Sequence, residues 1–197
     1  MGIQVLLEEI GVPYDLVQST IDMNEPRPPE QLAINPNGWI PVLIGDVAIY
    51  EAAAITIYLC DQYPSANLAP RPDQMTRGLF LQTLVYFSSS VQNAFQLNYY
   101  PDRFAETSDG YSGAMQRGIR RLRETWQVID TQIGANQWVL GDKFSAVDIY
   151  LFMLTTWLKD PRGHPSVQEF PSVARIAEKV LLRPATQKVY GGALQIN

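Results

Sequence analysis

The chain is nearly empty of the residues that most often carry metal, redox and triad chemistry. It has one cysteine and one histidine in 197 residues. A lone Cys60 forbids an internal disulfide, and without a Cys-x-x-Cys pair there is no dithiol exchange motif. This fits a reducing, cytoplasmic compartment. His164 sits in Pro161-Arg162-Gly163-His164-Pro165, with no ligand spacing for a metal and no triad partner. It is read as a surface loop residue, and no metal site is expected. No run of about 18 apolar residues exists to span a membrane. There is no basic-then-apolar leader. Basic charge is also short: 15 Lys and Arg against 20 Asp and Glu give a net charge of −5. That argues against a nucleic-acid binder. The one basic cluster, Arg117, Arg120, Arg121 and Arg123, spreads over more than one helical face and reads as a solvated surface.

What remains is an ordinary globular composition, 46% apolar and 18% charged. The length allows one large or two small domains. Ile3, Leu6, Leu7 and Ile10 have helical spacing, and Gly11 followed by Pro13 ends that helix. No capping residue precedes it, because Met1 begins inside the pattern. Tyr14 to Ile21 has strand composition. Residues 22–34 are acidic and Pro-rich, and read as a loop with one helical turn. Val42–Ile44 and Val47–Ile49 are short strands about a two-residue Gly45-Asp46 turn. A helix over 52–63 closes this α/β half.

Beyond a Pro-punctuated linker at 65–72 the pattern is helical only. Phe80, Leu84, Phe87, Val91 and Phe95 form one apolar stripe. Met115, Ile119, Leu122, Trp126, Ile129 and Ile133 form a second, closed by Gly134. Ser145-Ala146-Val147-Asp148 is a capping box. The helix it opens is apolar on all sides, so it is buried at the centre of its domain. Residues 172–190 add further helix, interrupted at Pro184.

The densest information lies at 35–55. Asn35-Pro36-Asn37-Gly38-Trp39-Ile40-Pro41-Val42-Leu43 precedes the hairpin, and Glu51-Ala52-Ala53-Ala54-Ile55 opens a helix. An Ile-Pro step between a glycine loop and an apolar strand suits a cis bond. Pro41 has no N–H, so the chain there does not pair as a central strand. The backbone of Ile40 is then free to pair with an extended peptide. The helix start at Glu51 favours a carboxylate. Together they make a site for a small acidic peptide.

At these residues the chain resembles the cytosolic glutathione S-transferase superfamily, whose pattern runs roughly N-P-x-G-x-[IV]-P-x-L, then [EQ]-S-x-A-I-x-x-Y-L. The likeness extends from Val5 to Ala185. It implies a thioredoxin-like glutathione-binding domain over 1–64, a linker over 65–72 and an all-helical domain over 73–197. It also implies a reaction of the glutathione thiolate with a small hydrophobic electrophile, and a homodimer in the cytoplasm. Glutathione would enter as co-substrate, contacted at Trp39, Ile40, Pro41, Glu51 and Ala52. The family's first strand and catalytic loop precede the helix that opens this chain. The N-terminal domain is therefore expected to be truncated and the catalytic residue to lie outside the 197. Two positions depart from the pattern. Ala52 replaces a common Ser that meets the γ-glutamyl carboxylate, and Trp39 replaces a polar residue near the glycine end. These departures keep a second expectation open, a non-catalytic binding or interaction protein of the same fold. On the sequence alone, Ser at 52 and Lys or Gln at 39 should each strengthen glutathione binding. Tyr86, Tyr99, Tyr100 and Tyr111 are candidates for an electrophile pocket, with packing as their alternative role. Tyr58 and Leu59 are expected in the core.

Overall fold

The computed structural model describes residues 1–19, 21 and 25–191. Helices α1 (Gly2–Ile10) and α2 (Pro29–Ile34) precede strands β1 (Val42–Ile44) and β2 (Ala48–Tyr50), and α3 (Ala52–Gln62) follows. The rest of the described chain is helical: α4 (Thr76–Tyr86), α5 (Gln92–Tyr99), α6 (Tyr111–Ile133), α7 (Ala146–Thr155), α8 (Pro171–Leu181) and α9 (Pro184–Tyr190). The expected α/β part followed by an all-helical part is what forms.

Helix α1 ends as its sequence predicts. Gly11 takes φ 79° and its N–H bonds the Leu7 carbonyl. Val5, Leu6 and Leu7 are buried, and the helix packs against α3, α7 and α9. Two ion pairs tie its polar face to the chain's far end. Arg183 grips Glu9 with two bonds of 2.6 and 2.7 Å, and Lys188 reaches Glu8 at 2.7 Å.

The strand expected over 14–21 does not form at Tyr14–Ser19 or Ile21; Thr20 and residues 22–24 lie outside the described residues. β-branched and aromatic content supplies propensity, but a strand exists only through its ladder. Among the described residues this segment has no ladder partner, and β1 and β2 pair only with each other. The hairpin also closes one residue later than expected. Val42 faces Tyr50 and Ile44 faces Ala48, so the loop is Gly45-Asp46-Val47. Val47 turns outward into solvent as a result.

Both apolar stripes are core. Phe80, Leu84, Phe87, Val91 and Phe95 are all buried, although a π turn at Phe87–Val91 joins α4 to α5. The extra residue of that turn rotates the face α5 presents. On α6, Leu122, Trp126, Ile129 and Ile133 are buried, and Met115 and Ile119 are half-buried. Gly118 lets α6 approach α5, since a Cβ there would sit 3.0 Å from the Ala94 carbonyl oxygen. The arginines of α6 are exposed, as expected, and Arg121 and Arg123 pair with Glu124 and Glu169. Leu59 is core but Tyr58 is not, because its position on α3 faces solvent.

Every residue of α7 is buried. Its start is held by Asp148, whose Oδ2 accepts from the Ser145 N–H at 2.8 Å and hydroxyl at 3.0 Å, while Oδ1 accepts from the Val139 N–H at 2.8 Å. Burial pushes this carboxyl up to about 6, against the downward pull of those donors. The Ala146 N–H bonds the Leu68 carbonyl at 2.8 Å, which anchors the linker to the same point.

His164 is not a surface residue. The Pro-Arg-Gly-His-Pro loop folds back on α5 and buries the ring edge-on against Phe95 and Tyr99. The Lys159 N–H donates to its Nδ1 at 3.1 Å, which leaves Nε2–H to donate to Asn98 Oδ1 at 2.9 Å. Proximity in the fold supplied partners that spacing along the chain did not reveal.

Asp148→Ala should destabilise the protein by about 2–4 kcal/mol, because two backbone N–H groups lose a charged acceptor in a dry site. Urea melts of both proteins measure this. The imidazole of His164 is held below its ordinary pKa, chiefly by burial and further by Arg162. Its folded pKa is lowered, so its contribution is present above about 6.5 and lost as pH falls through the folded value. As the chain's sole histidine it gives one set of ring resonances, and NMR titration should place their midpoint below 6.5.

Candidate functional site

Five parts of the chain wall one cleft of about 510 Å³. They are Ile21, the loop at 35–41, the start of α3, one face of α5 with the turn after it, and the chain leaving α7. All five residues singled out in the sequence, Trp39, Ile40, Pro41, Glu51 and Ala52, lie on that wall.

Asn35 builds the loop. It is buried, and its Nδ2 donates to the Trp39 carbonyl at 2.8 Å while its Oδ1 accepts from the Asn37 N–H at 3.1 Å. Its own carbonyl accepts from the Gly38 N–H at 2.8 Å. Gly38 has φ 67°, a conformation that favours glycine. A Cβ there would meet Arg27 Cγ at 2.7 Å. The Gly38 carbonyl is held by Arg27 Nε and Gln31 Nε2, each at 3.1 Å. This brace delivers a cis Ile40–Pro41 bond. Among the described residues nothing hydrogen-bonds the N–H or C=O of Ile40, and β1 begins only at Val42. The cleft thus has one short open backbone edge.

Glu51 stands at the N-terminus of α3 with φ 70° and ψ 112°. A non-glycine residue there stores about 1–3 kcal/mol of strain, a feature that clusters at binding sites. Its carboxylate caps nothing and makes no hydrogen bond or ion pair among the described residues. Ala52 follows at the first helical position, where backbone N–H groups lack helical partners. The start of α1 lies beside it, since Gly2, Ile3 and Ala52 border one small void. Two helix N-termini therefore bring partial positive charge to this end.

The opposite wall was not singled out as a unit from the sequence. Gln92, Gln96 and Tyr99 recur at spacings of four and three, a second face of α5 beside its core stripe, and Arg103 follows in the 3-10 turn Pro101–Arg103. The Tyr150 hydroxyl donates to Gln92 Oε1 at 2.6 Å, so the Gln92 amide hydrogens face elsewhere. Burial first, and the charge of Glu51 second, push the Tyr150 phenol up, so it remains a donor. The Tyr99 hydroxyl donates to the Trp157 carbonyl at 2.8 Å. Arg103 closes the far end, its guanidinium 4.3 Å from the Trp39 ring and 4.9 Å from that of Tyr100. Of the four tyrosines considered, Tyr99 and Tyr100 line the cleft; Tyr86 and Tyr111 do not. The signal for this face was its helical period, hidden because the stripe beside it is more apolar.

An open backbone edge, a strained acidic residue and paired helix starts suit a short peptide with an ammonium and a carboxylate. Cys60 adds no chemistry, since burial pushes its thiol up to about 12. Among the described residues no cluster of metal-binding side chains exists.

A family model of the glutathione S-transferase N-terminal domain matches residues 1–62, and one of the C-terminal domain matches 112–178. The chain belongs to the glutathione S-transferase superfamily. Glutathione S-transferase F10 of Arabidopsis thaliana is 28% identical, over 94% of this chain and 88% of that protein. A sphingomonad glutathione S-transferase, solved with glutathione, is 25% identical at a TM-score of 0.80, covering 98% of this chain and 94% of its own. A Sulfitobacter homologue reaches a TM-score of 0.87 at 23% identity, covering 98% and 93%, and supports the fold. The thioredoxin-like half and helical half of a glutathione S-transferase are thus both represented.

Asn35→Ala removes the side-chain partners of Asn37 and Trp39. It should lower stability by about 1–3 kcal/mol in urea melts, and red-shift tryptophan emission as Trp39 gains water.

Proposed function

We propose that this chain is a glutathione-dependent transferase acting on a small electrophile. The backbone of Ile40, unpaired among the described residues and beside the start of α3, is the observation that carries the reading. An extended tripeptide pairs its central residue with Ile40. Its α-ammonium meets Glu51, and its α-carboxylate meets the free N–H groups at Ala52. The glycyl end then runs toward Trp39. Residues 1–64 supply the glutathione side, and 73–197 supply the wall facing the second substrate.

The chemistry is substitution or addition by the glutathione sulfur, which needs its thiol pKa lowered. The converging starts of α1 and α3 supply positive potential for that purpose. None of the five wall residues is assigned as the thiol's hydrogen-bond donor. The same superfamily fold without turnover is the second reading, favoured by Ala52, which presents no hydroxyl. The chain is further proposed to act in the cytoplasm as a homodimer. Leu79 and Val85 leave exposed apolar surface on α4 in support.

Calorimetry with glutathione, followed by a conjugation assay, tests both readings. Glu51→Ala should weaken binding at least tenfold, and Ala52→Ser should tighten it about tenfold, each the worth of one charged hydrogen bond. Binding without turnover against a panel of electrophiles selects the second reading, and no binding removes both. A Lys at position 39 would face the guanidinium groups of Arg27 and Arg103, which lie over the Trp39 ring. Trp39→Lys should weaken binding. Light scattering at micromolar concentration should give roughly twice the 22.2 kDa chain mass.

A further inference from the structure

We infer that the second substrate is a planar electrophile bearing a carboxylate, recognised by Arg103 and Lys159 at the far end of the cleft. This rests on the glutathione-dependent reading above. It adds a substrate class that the fold does not dictate.

The protein is acidic overall, yet this end of the cleft is basic. Arg103 and Lys159 lie on the wall. Arg162 packs over the Tyr99 ring at 4.2 Å, and Arg27 over Trp39 at 5.3 Å. Among the described residues no ion pair forms at Arg103, Lys159 or Arg162, whereas arginines elsewhere pair with Asp61, Asp73, Glu9, Glu124 and Glu169. Asp102 and Asp160 are sequence neighbours of these cations, but both are exposed and neither pairs with them. Glu51 is the sole carboxylate on the described wall, and it belongs to the other end. Its charge acts on Tyr150, which bonds Gln92 at the start of α5. Helical rise puts Tyr99 about 10 Å further along. Bound glutathione brings two carboxylates and one ammonium, so it leaves positive charge over.

The shape of this end points the same way. Arg103 is not a loose surface arginine, because it stacks against both Trp39 and Tyr100. Stacking fixes the guanidinium plane and leaves its edge donors for a carboxylate, so little freedom is lost on binding. Tyr99, Tyr100 and Trp157 add flat apolar faces to the same end. The Tyr99 hydroxyl is spent on the Trp157 carbonyl, which holds both rings in place. Cations beside ring faces suit an aromatic acid.

Paired probes test this. First, 4-nitrobenzoate and 4-nitrobenzamide are titrated against tryptophan fluorescence without glutathione. The benzoate should bind at least fivefold tighter at low ionic strength, and the preference should shrink in about 0.5 M salt. It should vanish in Arg103→Gln/Lys159→Gln and survive in Arg103→Lys. Second, 4-chloro-3,5-dinitrobenzoate and its amide are offered with glutathione. A C–S bond forms at the chlorinated carbon, the C–Cl bond breaks, chloride leaves with the electron pair, and the thiol proton goes to solvent. After division by each uncatalysed rate, kcat/KM should favour the benzoate at least fivefold, and the double glutamine variant should equalise the two. Equal binding of the nitrobenzoate and its amide overturns the inference. A double variant that loses glutathione affinity but keeps the benzoate preference also overturns it, since the cations would then serve the glycyl carboxylate. If neither chlorinated probe reacts but the nitrobenzoate preference behaves as stated, the transferase reading fails and the carboxylate site stands.

Discussion

A helix buried on every side constrains the rest of this molecule. No residue of α7 from Ala146 to Thr155 is more than marginally exposed, so each neighbour must present an apolar face to it. Helices α1, α4 and α8 do so. A buried helix cannot leave its first N–H groups to water, and Asp148 and the Leu68 carbonyl meet that requirement. The aspartate is costly to desolvate, and three donors offset the cost. The same helix sets the cleft. Tyr150 fixes Gln92 from its middle, and the chain leaving its end supplies Thr156, Trp157 and Lys159.

The two ends of the cleft differ in kind. At the α3 end the positive character comes from backbone, in the first turns of two helices, with one strained carboxylate beside it. At the other end it comes from the side chains of Arg103 and Arg162, stacked on aromatic rings with no carboxylate partner among the described residues. Backbone dipoles are fixed and act at short range. Exposed guanidinium and ammonium groups act further but are screened by salt. Asn35 is the joint between the two ends, because it shapes the loop that carries both the Ile40 edge and Trp39.

Local signals decided most of the architecture. Helical period placed the stripes of α4, α5 and α6, Gly11 and Gly134 ended their helices, and the Ser145–Asp148 box marked the buried helix. These features act within a few residues, so a sequence read in order reveals them. The motif at 35–55 brought five residues to one cleft for the same reason: loop, cis bond and helix start are contiguous. Three features depended on partners distant in sequence, and the tertiary structure decided them. Tyr14–Ser19 has strand composition but no ladder among the described residues. His164 lacks neighbours of its own kind along the chain, yet Asn98 and Phe95 enclose it across some 66 residues. Arg103 and Lys159 look like surface charges until α5 and the end of α7 turn them onto one wall. Propensity and period are properties of a segment; pairing, burial and charge balance are properties of what the rest of the chain brings beside it.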